Sequence, residues 1–594
     1  MEVPEGLMRK AHELRSEAST IQGEPITDTL LQWFKTEHNG QTHQALEVFQ
    51  STDAGLSFQV GQAGSATIMA GEPVVVCPLS TSLSYLNAIG GGQPLGNASN
   101  ENENENAAVA FSPDFVQKVP PHVIGRFFLM QQSLQGTASP WAPYISALPQ
   151  PQDYDAWALP AVWPSEGPAS AALALLEGTN AEVAAAEMRQ RIEAEFRAAW
   201  PLLQDDEHKT KYTFALYEWA YCMFTSRSFR PSLVLTPEIQ DALTHGPGGS
   251  VDARHLAMVN YARLPQGCKI DDFSLLLPVL DIGNHDPRAV VEWQPIVDAS
   301  RTALSSSAVL TSAPSTTTDH AIVFCAGTAH SSGQPVFNNY GSKTNSELLV
   351  GYGFVLAPTP DMHNDYVHLR KRGELGPSIS EADAAAGTSA NAVHRDFLLS
   401  LRPMGEPSSF VGRARLAPAQ RVDGMTPSTK RTPGFALVDD GLLWDMLSMM
   451  LQPDSRDELQ RLAMCKITEK ADYLKSSVEQ VQEAQAAVSA SELRDTILDL
   501  VFGKLSGEGI PALLRNISNQ VRLTLLYKFD ADLEKLQAKD AALVSFTPSS
   551  PHERLALQYR TQYAAVLSNA IDVLGNEVEG DYDEEESDEE EDDE

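Results

Sequence analysis

The chain has 594 residues, a formal net charge of −36, 42% hydrophobic and 21% charged residues; roughly two to four domains with sizeable cores fit that length. It contains no uninterrupted apolar run of about 18 residues, so no membrane-spanning helix is expected. Residues 577–594 carry 14 acids and no base, and the remainder still bears −22, a field that repels phosphate backbones and argues against direct nucleic-acid binding while attracting basic partners.

The five cysteines, Cys77, Cys222, Cys268, Cys325 and Cys465, are scattered and form no C-x-x-C pair. A structural zinc site needs four clustered ligands, so no metal is expected, and an odd, dispersed set reads as free thiols in a reducing compartment. Glu2, Glu5, Glu13 and Glu17 crowd the first residues without an apolar segment, which argues against a secretory signal or a transit peptide.

Residues 1–27 read as a leader. From 44 to 86 the runs are β-like, with the β-branched Val74-Val75-Val76 following a turn at Gly71-Glu72-Pro73. Residues 87–108, three glycines followed by alternating Asn and Glu, read as a disordered loop. A helical stretch is expected over 111–270. Within it Leu173, Leu175 and Leu176 lie in an Ala-rich run, and Phe214, Tyr217, Ala220, Tyr221 and Phe224 recur at helical spacing. Short β-like runs return at 271–295 and 321–357, separated by a Ser/Thr/Ala-rich loop insertion over 296–320. From 390 to 575 helical stripes recur: Leu442, Leu443, Met446, Leu447 and Met450; Leu493, Ile497, Leu500 and Val501; Leu555, Tyr559, Tyr563, Val566 and Ala570. Residues 576–594 read as a disordered acidic tail.

Two segments carry chemistry. In Leu277-Pro278-Val279-Leu280-Asp281-Ile282-Gly283-Asn284-His285-Asp286-Pro287, an apolar strand runs into an Asn-His pair that can offer side-chain and backbone polar groups to one ligand. In Tyr340-Gly341-Ser342-Lys343-Thr344-Asn345-Ser346-Glu347-Leu348-Leu349-Val350-Gly351-Tyr352-Gly353-Phe354, each of two tyrosines precedes a glycine, which permits unusual backbone angles beside an aromatic wall.

Together these resemble the SET-domain methyltransferases, specifically the Rubisco large-subunit methyltransferase branch with its DxxNH turn and YG-x-x-x-N-x-E-L-L-x-x-YGF segment. The stretch from Ser139 and Trp141 through Pro143-Tyr144 to Leu148-Pro149 resembles a further motif of the branch. So do Leu176-Glu177-Gly178-Thr179 and the stretch Trp219-Ala220 to Ser226-Arg227-Ser228-Phe229. The resemblance covers about residues 28–370 well and 390–575 more loosely. It implies an α+β chain: a SET-domain β fold over 28–370 with a helical insert, then an all-α substrate-binding domain.

The resemblance also implies an S-adenosylmethionine-dependent protein-lysine N-methyltransferase acting on a non-histone or histone protein, cytoplasmic or nuclear, with a chloroplast location not excluded. By analogy Tyr340 is the catalytic tyrosine, Asn284 and His285 hold the adenosine end of the cofactor, and Arg227 contacts its carboxylate through a planar fork. Asp281 stands where the family has a substrate-contacting acid, and Tyr352 forms part of the pocket wall. In the N-terminal cofactor loop Gly71-Glu72 and Ile68 are in place, and Gly61 falls on the second glycine while Gln59 replaces the first; alternatively Gly55-Leu56 is the match with an insertion after it. Gly283 fills a position that is bulky in the family.

That degraded loop leaves a second reading, a SET-like module that binds protein without catalysis. A third is histidine methylation, for which a tryptophan tends to precede the aspartate where this chain has Leu280, a choice that leans toward lysine. The tail is expected to be a solvated appendix available to basic partners, with Ser587 set among acids as a candidate phosphorylation site.

Overall fold

The structure is a computed structural model that describes residues 3–14, 26–51, 54–62, 66–95, 111–166, 170–204, 208–245, 264–296, 310, 320–370, 396–416, 431–468, 488–503, 512–538 and 546–589; on the last helix, side chains are described as far as Glu577. It is an α+β molecule in which several small antiparallel sheets are wrapped by helices.

The largest sheet has four strands in the order Gln41–Thr42, Pro73–Pro78, Ala321–Ala326, Val291–Ile296. The expected β halves thus meet at its centre, where Val75 lies opposite Phe324 and Val76 opposite Val323. Pro73–Pro78 and Ala321–Ala326 are buried at every position, which explains their unbroken apolar runs, whereas the edge strand Val291–Ile296 is more exposed. Leu46–Ser51 pairs with Gly55–Val60 as a separate two-stranded antiparallel sheet.

A second, three-stranded sheet ties the insert to the rest. Leu275–Leu276 is the middle strand, pairing with Leu83–Ser84 on one edge and Ser228–Phe229 on the other. The chain leaves the β part at Ser84 and returns at Ser228, so one short strand clamps both ends of the insert. Ser84 opens the helix Tyr85–Ile89: its hydroxyl accepts from the Leu86 N–H, and Asn87 accepts from the Ser84 N–H in return, at 2.9 Å.

This begins the region expected to be a disordered loop over 87–108, and the expectation is corrected for its first part. Asn87 is fully buried as a capping partner, its amide donates to the Gln93 carbonyl, and Leu95 is a core residue. The low-complexity signal belongs to the following Asn/Glu run, which lies outside the described residues.

The helices of the insert include Pro121–Gln135, Asn180–Ala199 and Phe214–Arg227. The last is buried on nearly all sides, not along one face as its spacing suggested. Arg126, Glu195 and Tyr217 meet inside the insert: the guanidinium donates to the carboxylate at 2.5 Å, and the tyrosine hydroxyl donates to the same oxygen at 2.8 Å.

The leader is not detached. Residues 3–14 lie against Phe214–Arg227, and the Ala11 N–H donates to the Glu218 carboxylate at 2.7 Å. Burial pushes Glu218 up to about 8, opposed by the Ala11 amide, Lys10 and Arg189 and assisted by Glu13.

The boundary expected at 390 also moves. Phe397–Ser400 is a strand paired with Tyr366–Leu369, because its apolar residues are buried by strand pairing and not by a helical face. The helical part proper includes Asp440–Met450, Pro453–Thr468, Ala490–Phe502, Ala512–Gln537 and Pro551–Glu589. The last extends past residue 576, where the tail was expected to begin. Among the residues of the 296–320 insertion, Leu310 is buried and bridges His43.

The final helix joins the parts into one core. The buried Arg560 guanidinium donates to the Leu175 carbonyl at 3.2 Å, to the Glu177 carbonyl at 3.0 Å and to the Leu536 carbonyl. Gln562 donates to Leu356 and Asn569 to Leu401. The Leu175, Glu177 and Leu536 carbonyls lie at or just past helix C-termini, where no following turn supplies a donor.

Two predictions follow from this packing. Arg560→Met strands those carbonyls and lowers the unfolding free energy by about 3 kcal/mol, read as a lower urea midpoint at unchanged slope. The folded chain keeps the Glu218 proton up to about 8, whereas the unfolded chain releases it near 4.5. The folded state therefore binds more protons between those values, and stability from this group is greatest below the lower one and is lost as pH rises through the upper one. Glu218→Gln removes that slope, so its melting temperature gains on wild type between about pH 5 and about pH 9; parallel melting curves would exclude the effect.

Candidate active site

The turn after Leu275–Leu276 is the hub. Asn338 pairs with it in parallel fashion: its N–H donates to the Asn284 carbonyl at 2.7 Å and its carbonyl accepts from the Asp286 N–H at 3.0 Å. In such a pairing the facing residue, His285, turns its own N–H and C=O away. Neither group of His285 makes a hydrogen bond among the described residues. One extended residue thus offers a donor and an acceptor side by side, a match for a ligand edge carrying both, such as the amino edge of adenine.

Gly283 permits this closeness. A Cβ there would stand 3.0 Å from the Asn338 Cβ, so any side chain at this position would push the two segments apart.

Tyr340 then fastens the second segment to the first. Its hydroxyl donates to the Gly283 carbonyl at 2.9 Å, and its N–H donates to His285 Nδ1 at 3.0 Å. The imidazole and phenol rings stack with centroids 5.0 Å apart. Tyr352 stacks on Tyr340 with centroids 4.9 Å apart, and the Phe354 ring lies 6.4 Å from Tyr352 and 6.3 Å from His285. Burial, aided by Lys343 and opposed by Asp286, lowers His285 to about 4. The imidazole is therefore neutral; with Nδ1 accepting, its proton sits on Nε2, which is buried without a partner among the described residues. Burial also raises the Tyr340 phenol above its ordinary range, so the hydroxyl stays protonated. Because that proton is committed to Gly283, the oxygen lone pairs remain available as acceptors.

The helix Asn345–Tyr352 carries Tyr352 into place. Thr344 and Glu347 form a capping box at its start, and Gly353, at φ +79°, closes its end with an N–H to the Leu349 carbonyl. That is the physical role of the second glycine in the segment.

Arg227 arrives from the opposite direction, as the last residue of Phe214–Arg227 and immediately before the strand that pairs with Leu275–Leu276. Its Nη1 lies 3.6 Å from Asp281 Oδ2 and 3.5 Å from the Asp281 carbonyl, a loose engagement that leaves the guanidinium fork open. The Asp281 side chain is 2% exposed and accepts from the Tyr144 hydroxyl at 2.9 Å. Burial raises its carboxyl, against the pull of Arg227 and the Tyr144 hydrogen bond. The carboxylate thus faces inward, and its visible role is to orient Arg227.

The structure therefore brings Arg227, Asp281, Asn284, His285, Tyr340 and Tyr352 to one place. It does not bring Gly61 there. The Gly61 N–H donates to the Ala45 carbonyl, and its carbonyl accepts from Ser332. The residues of that hairpin that touch the hub are Leu56 and Ser57: the Asn284 amide donates to Ser57 Oγ at 2.7 Å and reaches the Leu56 carbonyl at 3.4 Å. The hairpin pairs in register from Gly55 to Val60, so the stretch next to Asn284 is the alternative one, Gly55-Leu56. Tyr144, Ser57 and Asn338 went unassigned in the sequence. Tyr144 lies inside the 139–149 motif, whereas Asn338 carries no signal in the sequence beyond its proximity to Tyr340.

Among the described residues no group of three or more His, Cys, Asp or Glu side chains is placed to hold a metal ion, and no helix is long and apolar enough to cross a membrane. The five cysteines are free thiols.

No protein-family model matches the chain. It is similar to the ribosomal lysine N-methyltransferase set10 of Schizosaccharomyces pombe, 24% identical over 350 residues that cover 59% of this chain and 48% of that protein. It is also similar to the ribosomal lysine N-methyltransferase 1 of Saccharomyces cerevisiae, 30% identical over 148 residues that cover 24% of this chain and 16% of that protein. The match thus spans less than half the length of either relative. Solved structures that resemble it include the SET domain of LSMT bound to lysine and AdoHcy, with a TM-score of 0.47 and 14% identity over 94% of this chain and 92% of that one. Another is Rubisco LSMT bound to AdoMet, with a TM-score of 0.44 and 13% identity over 93% and 92%. By its motifs and these two curated relatives, the chain resembles the SET-domain methyltransferases of the Rubisco large-subunit type.

Proposed function

We propose that the chain is a protein-lysine N-methyltransferase that uses S-adenosylmethionine. The observation that carries this reading is the double attachment of Tyr340 to the Asn284–His285 turn, which sets a phenol oxygen with free lone pairs beside a neutral imidazole and an open guanidinium. The residues fit the cofactor. The free backbone edge of His285 suits the adenine, and the fork of Arg227 suits a carboxylate. The cofactor, when bound, would supply an electrophilic methyl on a positively charged sulfur.

The chain's own residues would do the rest. Asp281, held by Tyr144, orients Arg227. Tyr340 accepts a hydrogen bond from the amine or a weak one from the polarised methyl, aligning the two. The half-buried rings of Tyr340, Tyr352 and Phe354 form an apolar wall that favours the neutral form of the incoming lysine, whose free pKa is about 10.4. With Leu56 and Ser57 beside Asn284, the hairpin offers backbone to the site despite the altered glycine pattern, which weighs against a module without catalysis.

The names of the two curated relatives point to a ribosomal protein as substrate. A body of net charge −22 outside the tail would steer such a basic partner toward the site. A cytoplasmic or nuclear location accords with that substrate.

The test is transfer of labelled methyl from S-adenosylmethionine to purified ribosomal proteins, with the modified residue mapped by mass spectrometry. Tyr340→Phe is expected to slow transfer by about a hundredfold or more, while affinity for S-adenosylhomocysteine, measured by calorimetry, changes little. Equal turnover by the variant would remove Tyr340 from the chemistry, and label on histidine would reassign the acceptor.

A further inference from the structure

Among the described non-glycine residues only Asn39 and Val279 have a positive φ, 57° and 69°. Asparagine tolerates such angles; a β-branched residue does so at a steric penalty. With ψ −42°, Val279 lies near the strained γ-turn region at about φ +75°, ψ −65°, and its side chain is fully buried.

The position explains why the strain persists. Upstream, Leu275–Leu276 is held on both edges by paired strands. Downstream, Asn284 and Asp286 are held by Asn338, and Gly283 by Tyr340. Between these fixed ends the chain must reverse while burying Leu277, Val279, Leu280 and Ile282. The reversal is closed by Asp281 N–H to the Leu277 carbonyl at 3.1 Å and Ile282 N–H to the Val279 carbonyl at 3.2 Å. A glycine would adopt the same angles without strain, but it would also allow many others. A bulky side chain anchored in the core allows one.

We propose that Val279 is a positioning residue whose anchored side chain locks the positive-φ turn that aims Asp281 at Arg227 and holds the Asn284–His285 corner ready for its ligand. The ligand part of this inference rests on the functional reading above; the turn part does not.

The test compares full-length Val279→Ala and Val279→Gly with wild type. Glycine is ordinarily the less stable of the two in regular backbone; here Val279→Gly is expected to melt at or above Val279→Ala, because it alone relieves the angle. Hydrogen exchange across residues 280–286 is expected to be faster in the glycine variant than in the alanine variant. S-adenosylhomocysteine is expected to bind the glycine variant about tenfold more weakly than the alanine variant, a difference of ~1.4 kcal/mol. A glycine variant less stable than the alanine variant, or equal exchange and affinity in the two, would overturn the proposal. If wild type itself fails to bind S-adenosylhomocysteine, the functional reading falls, while the melting and exchange comparison still decides whether the turn is strained and locked.

Discussion

Two hydrogen bonds from a single residue hold the site together: Tyr340 donates its hydroxyl to the Gly283 carbonyl and its N–H to His285 Nδ1. They join segments more than fifty residues apart in sequence, and each has a chemical consequence. The first spends the phenol's proton and leaves its oxygen as an acceptor. The second dictates the tautomer of a buried histidine, so that the neutral imidazole carries its proton on Nε2. Tyr340 is thereby held between the His285 and Tyr352 rings, while the outward-facing backbone of His285 is fixed separately, by Asn338.

The remainder of the fold acts to bring a cation to it. The long insert would be free to place Arg227 anywhere, but Ser228–Phe229 is zipped to the same strand that leads into the turn. The arginine is therefore delivered within a few residues of its carboxylate partner. Tyr144, from another helix of the insert, completes the pair by saturating Asp281. A buried carboxylate is tolerable only when its lone pairs are satisfied, so the insert and the β part stabilise each other through the groups that build the pocket. Val279 stores strain of about 1–3 kcal/mol at the hinge of this arrangement, an amount that the surrounding apolar core can offset.

The C-terminal helix is part of the same body. Arg560 reaches across to the insert, Gln562 to the segment after Phe354, and Asn569 to the strand pair beyond. The final helix therefore braces, through Gln562, the segment that follows Phe354.

The chain's order of β, helical, β and helical parts and its apolar strands were readable from residue types and spacing, because periodicity records local preference; Tyr340, Asn284, His285 and Arg227 were singled out by the resemblance to a family, and packing gathers them in one place. Contacts between distant segments are not so recorded. Counting back from Gly71-Glu72 left the cofactor loop between Gly61 and Gly55-Leu56; the packing sets Leu56 and Ser57 against Asn284. By resemblance Asp281 stood at a substrate-contacting position; its packing between Tyr144 and Arg227 is set by residues far from it in sequence. The strand at Phe397–Ser400 was misjudged for the same reason, since Phe397 pairs with Leu369; the start of the low-complexity loop was misjudged on a local signal, the capping box that Asn87 forms with Ser84. Local composition selects the elements and the reactive groups; which atoms finally face one another depends on pairing and packing across long sequence separations, and those energies are shared among residues that no short window contains.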